Sequence, residues 1–196
     1  MITFDHSILQ CPISGESLRQ VAIAELEVDL QEYKLEILKE ATSGFINESG
    51  SYLFPIVRDV ILLLPYYAIP LVDTSSSEAQ LSFDKERVFR YYNEIHYENY
   101  EETNVYADSK KFVDFRPVTK EYLEQSFLGA KKHIAPQGTY FLDVASGPIG
   151  LKEYLELSEG YEFRICMDIS FNALVQAKHN LTEQKGIFIC GDITHI

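Results

Sequence analysis

Three short apolar runs in the second half of the chain set the pattern. They are Tyr140-Phe141-Leu142-Asp143-Val144-Ala145, Phe163-Arg164-Ile165-Cys166-Met167-Asp168 and Gly186-Ile187-Phe188-Ile189-Cys190-Gly191-Asp192. Each has the length and composition of a buried strand, and each carries an Asp at or near its end. The aspartates are 25 and 24 residues apart. Helical stretches are predicted between them, near 149–157 and 171–181. Strand, helix, strand at this interval predicts right-handed crossovers and a parallel sheet. Upstream, 83–100 (FDKERVFRYYNEIHYENY) and 118–133, entered through Pro117, predict two more helices.

The first seventy residues follow a different rhythm. Ile23, Leu26, Leu30, Tyr33 and Ile37 recur at intervals of 3, 4, 3 and 4, one face of an α-helix. A competing alternation runs through Leu26, Val28, Leu30 and then Tyr33, Leu35, Ile37. The helix is the favoured reading. Gly44-Phe45-Ile46-Asn47 and Tyr52-Leu53-Phe54 flank Glu48-Ser49-Gly50-Ser51 and predict a hairpin. Val60 to Leu64 predicts a further buried strand. The polar stretch 73–80 (DTSSSEAQ) marks a linker.

Composition narrows the classes. Hydrophobic residues make up 46% of the 196 residues and charged residues 24%, a soluble globular balance with one or two domains. The net charge of −13 comes with no basic cluster, so no nucleic-acid partner is expected. Nor is a membrane: the longest uncharged run, Val60 to Val72, has 13 residues and two prolines, against ~20 for a span. Cys11, Cys166 and Cys190 form no CxxC pair. That points to a reducing, cytoplasmic setting rather than a disulfide framework. The N-terminus has no signal-peptide pattern.

The chemistry gathers where the strands end. In a doubly wound sheet, ligands lie beyond the carboxyl ends of the strands. The first strand runs into Ser146-Gly147-Pro148-Ile149-Gly150, a turn of small residues that lets main chain approach a ligand. Asp168 is placed to accept from ribose hydroxyls. Taken singly, each aspartate is more often a cap or turn residue. Three in register, with a glycine turn at the first, point to a nucleoside.

Residues 140–193 resemble the cofactor half of a class I S-adenosylmethionine-dependent methyltransferase. The matching text is YFLDVASGPIG, then RICMDIS with FNALVQA, then FICGDIT. The resemblance implies a partial Rossmann-like α/β fold and S-adenosylmethionine as cofactor. Cofactor contacts would come from Asp143, Ala145, Ser146 and Gly147, from Asp168 and Ile169, and from Asp192 and Ile193. Tyr92 would join them from a helical lid. The motif departs at its last glycine position, which is Ile149. The methyl acceptor would be a small molecule or a protein, and no catalytic residue is assigned.

Residues 8–72 resemble the small α+β zinc-ribbon-like domain of methyltransferase activator subunits, through LQCPISGESL and GFINESGSYLFPIVRDVILLLP. Its four zinc cysteines correspond to Cys11, Ser14, Asn47 and Gly50. One thiolate cannot hold a structural zinc, so a metal-free variant is expected. The chain then divides into residues 1–72, the linker 73–80, and 81–196 with the lid and the first three strands of a methyltransferase sheet. The family's sheet has seven strands. The expectation is a truncated or short methyltransferase-like chain with a bare apolar edge, covered in a homodimer or by a partner methyltransferase. A non-catalytic interaction or activator module is the alternative.

Overall fold

A computed structural model describes residues 4–72, 83–94, 97–100, 103–106, 116–181 and 185–195. The linker predicted over 73–80 lies outside these residues, as does His96 in the predicted lid.

The first segment contributes β1 (Leu18–Ala22), β2 (Ser43–Asn47), β3 (Tyr52–Val57), β4 (Val60–Leu62) and β5 (Ile69–Pro70). The predicted hairpin is β2–β3, with Phe45 opposite Phe54. Asn47 makes its turn, its Oδ1 accepting from the N–H groups of Ser51 and Tyr52 at 2.9 and 2.8 Å. Arg58 and Asp59 form the β3–β4 turn, both with positive φ (51° and 64°). Two such residues give a turn whose twist matches the strands.

The helix predicted over 23–37 is not formed. Three 3₁₀ turns stand instead, at Ile23–Glu25, Leu30–Glu32 and Glu36–Glu40. Asp29 is extended, and its side chain accepts from Gln31 N–H, so it restarts a turn where a helix would continue. Ile23, Leu30 and Leu38 are buried from separate turns, with Leu26, Asp29, Tyr33 and Leu35 extended between them. The partial burial of Leu26, Val28, Tyr33, Leu35 and Ile37 follows the alternation that competed with the helix.

The second segment begins with α1 (Phe83–Glu94). The predicted helix runs on to residue 100, but β6 (Tyr97–Tyr100) pairs there with β7 (Thr103–Tyr106) as a separate two-stranded sheet. Tyrosine and valine at these positions favour the extended chain. Then come α2 (Pro117–Lys131), β8 (Gly138–Val144), α3 (Lys152–Leu155), β9 (Tyr161–Asp168), α4 (Phe171–Asn180) and β10 (Lys185–Cys190). These follow the predicted βαβ rhythm, and β8, β9 and β10 are parallel. α3 is one turn of α-helix with a 3₁₀ turn after it, shorter than the predicted 149–157.

One mixed sheet of eight strands joins the two segments. Its order is β1-β2-β3-β4-β10-β9-β8, with β5 on β3. The junction is a parallel pairing of β4 with β10, placing Ile61 beside Ile189 and Leu62 beside Cys190. One face of the sheet packs Val57, Val60 and Leu62 with Leu174 and Ala177 of α4 in one cluster. The opposite face joins Phe45, Phe54 and Ile61 to Ile165, Ile187 and Ile189. Each core thus draws on both segments. Among the described residues no helix is long and apolar enough to cross a membrane.

Candidate functional site

The parallel strands deliver their ends to one side of the sheet, as the crossovers require. β8 ends in a turn whose backbone is left-handed at Ala145 (φ 56°), Gly147 (φ 59°) and Ile149 (φ 51°). Gly147 takes that conformation freely, whereas a β-branched residue does so against sterics. Ile149 is 2% exposed and packs into the core cluster shared with α4. Its burial offsets its backbone strain and keeps its side chain out of the turn's open face.

Asp168, at the end of β9, is buried. Its Oδ2 accepts from Gly147 N–H at 2.9 Å and its Oδ1 from Ser170 N–H at 2.8 Å. The carboxylate therefore ties the end of β8 to the end of β9. Burial pushes its pKa above the ordinary value, against the pull of these N–H groups. Ser170 in turn caps α4, its Oγ accepting from Ala173 N–H at 3.2 Å.

Asp192 follows β10. Burial acts to raise its carboxyl, but Lys85 and Thr194 outweigh that and hold it at about 2. Lys85 Nζ lies 2.5 Å from Asp192 Oδ2 and 2.8 Å from Thr194 Oγ1. Thr194 donates to Asp192 Oδ1 from its N–H and its hydroxyl, at 2.9 and 2.8 Å. Both aspartates thus hold turns, and both line one cavity.

Helix α1 lies over these ends. Asn93 Oδ1 accepts from Phe171 N–H at 2.9 Å, Ser170 Oγ donates to Tyr92 O at 2.8 Å, and Asn172 Nδ2 donates to Asn93 O at 2.6 Å. Phe89 is buried against the rings of Tyr66 and Tyr67 from the first segment, with centroids at 4.9 and 5.7 Å. Lys85, Val88 and Tyr92, at i, i+3 and i+7, share one helix face and line a cavity of about 430 Å³.

Seven of the nine sequence-predicted residues line this cavity: Tyr92, Ala145, Gly147, Asp168, Ile169, Asp192 and Ile193. Asp143 and Ser146 do not line it; both are buried. Asp143 Oδ2 accepts from Arg164 Nη2 at 2.7 Å and Nε at 3.1 Å, and its Oδ1 accepts from the Tyr154 hydroxyl. Arg164 has no exposed surface and also donates to Tyr154 O and Ser158 Oγ, at 2.9 and 3.1 Å. Burial and the bond to Asp143 push the Tyr154 hydroxyl far up.

Sequence reasoning missed Lys85, Val88 and Gly191 of the lining. The α1 spacing could have found the first two once Tyr92 was placed on the lid. It also missed Arg164, whose only signal is a charge inside an apolar run.

Of the four positions matched to zinc cysteines in the first segment, Cys11, Ser14 and Asn47 are neighbours. Ser14 N–H donates to Cys11 Sγ at 3.4 Å, and Asn47 Nδ2 lies 3.4 Å from Ser14 Oγ. Glu16, which the sequence reading passed over, joins them. Its Oε2 accepts from Ser14 Oγ at 2.8 Å, from Ser49 Oγ at 2.9 Å and from Asn47 Nδ2. The turns at Gly15 and Gly50 have positive φ (72° and 71°). Among the described residues no group of three or more His, Cys, Asp or Glu is placed to hold a metal ion.

Comparison with protein-family models, with curated proteins and with solved structures finds no match.

Proposed function

We propose that the cavity beneath α1 is a nucleoside site, and that this chain is an S-adenosylmethionine-dependent methyltransferase or its cofactor-binding portion. β8, β9 and β10 are then the partial Rossmann-like sheet of that family, extended through β4 by a zinc-ribbon-like segment without zinc. One observation carries the reading: consecutive parallel strands bring Gly147, Asp168 and Asp192 to a single cavity of about 430 Å³. That volume lies within the ~300–1,000 Å³ range of small-molecule sites.

The residues present suit the cofactor's nucleoside. Asp168, buried and held by two N–H groups, is an acceptor for ribose hydroxyls. Asp192, kept ionised by Lys85, is an acceptor for the amine of adenine, with Ile193 and Gly191 main chain beside it. Ala145 and Gly147 leave room for the ligand to approach the backbone. When bound, S-adenosylmethionine supplies a methyl group already activated on a sulfonium. The protein's part is to bind, orient and exclude water. Asp143 does not line the cavity, its oxygens turned to Arg164 and Tyr154, so on this reading it makes no direct cofactor contact. The cofactor's amino-acid end would then be held by main chain at Ala145 and Gly147. The acceptor, on this reading, is a small molecule or a protein.

Calorimetric titration with S-adenosylhomocysteine tests the site. Wild type should bind, and Asp168→Ala should weaken binding by at least about tenfold, as loss of a charged hydrogen-bond acceptor does. No binding by wild type sinks the proposal.

A second reading, an interaction module, rests on a separate observation. Among the described residues β8 lies at one end of the sheet, and its side chains Leu142 and Val144 are 49% and 37% exposed. Gly138 N–H donates to Gly160 O, so the main chain at 138, 140 and 142 faces β9 and that of Thr139 and Phe141 faces outward. The one ionisable carboxyl on β8, Asp143, is paired with Arg164. We propose a second copy as the occupant. Two β8 strands related by a two-fold axis would set apolar residues against apolar residues with no opposed charges. Leu142→Lys should then shift sedimentation to the monomer. A wild-type monomer at all concentrations contradicts it.

A further inference from the structure

Resting on the nucleoside reading, we propose that Lys85 is the positioning residue of the cavity: it latches the N-terminal end of α1 to Asp192 and Thr194, so that the seating of the helix and the contact to a nucleoside base depend on the same ion pair.

Helix α1 is held differently at its two ends. Its C-terminal end is tied to the start of α4 through Tyr92 and Asn93, using main-chain groups and an amide. Its middle is anchored by Phe89. Its N-terminal end reaches the sheet through Lys85, at 2.5 Å from Asp192 and 2.8 Å from Thr194. The Asp192 side chain is 9% exposed and that of Lys85 is 35% exposed. The pair therefore sits at the rim, with its carboxylate inside. The same carboxylate is the group assigned to the base, so the helix and the ligand share one partner.

An ammonium and a carboxylate side by side offer a donor and an acceptor. The pairing edge of adenine offers the complement, an amine and a ring nitrogen. Lys85 does two things at this end of the cavity. It orients Asp192 toward the incoming base, and it brings Val88 and Tyr92, on its own helix face, down over the ligand. The other titratable groups lining the cavity are Asp168 and Tyr92.

Three measurements on the full chain, comparing wild type, Lys85→Met and Lys85→Arg, test the latch. The first is amide hydrogen exchange along α1 without ligand. Lys85→Met should speed exchange in the first half of the helix about tenfold, the loss expected for a charged hydrogen bond, and leave the Asn93 end unchanged. The second is the carboxyl titration of Asp192 by NMR. Its midpoint should rise above the wild-type value of about 2 in Lys85→Met, with the two Thr194 hydrogen bonds still in place. The third is adenosine binding, which should weaken about tenfold in Lys85→Met and recover in Lys85→Arg. Unchanged exchange together with unchanged adenosine affinity in Lys85→Met overturns the proposal. If wild type binds no adenosine, the nucleoside reading and the coupling both fall, while exchange and titration still decide whether Lys85 closes the helix.

Discussion

Arg164 is a fully buried guanidinium that donates to Asp143, to Ser158 and to the main chain of Tyr154. The Tyr154 ring lies 4.6 Å from its Cζ. Removing one member of such a cluster leaves the others charged or polar in a dry interior. Arg164→Met should therefore destabilise the fold by about 3–5 kcal/mol, read as a lower urea midpoint with an unchanged slope. Two aspartates give opposite acid responses. Asp192 is depressed to about 2, so it contributes stability above its unfolded pKa of ~3.9, and that stability is lost as pH falls toward 2. Asp168 is raised by burial, so its ionised form costs stability, and the cost is relieved as pH falls through its raised midpoint. Asp192→Asn should flatten the loss of unfolding free energy between about pH 4 and 2, measured by urea melts at stepped pH.

At the scale of elements, α1 is the piece whose position decides whether a cavity exists. Phe89 is its apolar anchor, seated on Tyr66 and Tyr67. Phe89→Ala removes a buried ring, a change worth about 3–5 kcal/mol in a core. Because this ring seats α1 on Tyr66 and Tyr67, the loss should appear as local opening. Proteolysis within 83–94 should accelerate while the exchange protection of β9 and β10 holds. These elements differ in how far the sequence showed them. The β9 and β10 runs were legible because a buried parallel strand is a short apolar block; β8 has the same composition but is half-exposed at the sheet's edge. Also legible were α2, α4 and the β2–β3 hairpin. The stretch 23–40 was not, because Asp29 and its neighbours satisfy main chain locally in three turns, and two periodicities overlap there. Seven of the nine site residues share the cavity, since register along parallel strands carries strand-end residues to one edge. That Asp143 lies outside the cavity lining was not legible for the reason that Arg164 was not: a buried ion pair leaves no periodic trace.

For the molecule as a whole, the sheet crosses from the first segment to the second through β4 and β10. Both apolar clusters contain residues from each side. Residues 4–72 and the parallel strands should therefore unfold together. Leu62, unexposed and paired beside Cys190, tests this: Leu62→Ala should cost about 2–5 kcal/mol and lower exchange protection in β3 and β10 alike. Protection lost only in β3 would mean two independent units. The junction also supports the site, because the rings that seat Phe89 come from the first segment and the cavity is lined from the second.

The account turns on a nucleoside occupying the space between α1 and the strand ends. Amide chemical shifts during titration with S-adenosylmethionine test that most directly, since they report both binding and place. The prediction is saturable shifts concentrated at Gly147, Ile169, Gly191 and Ile193, with Tyr92 moving alongside. Shifts absent at saturating ligand, or gathered away from these residues, would contradict it.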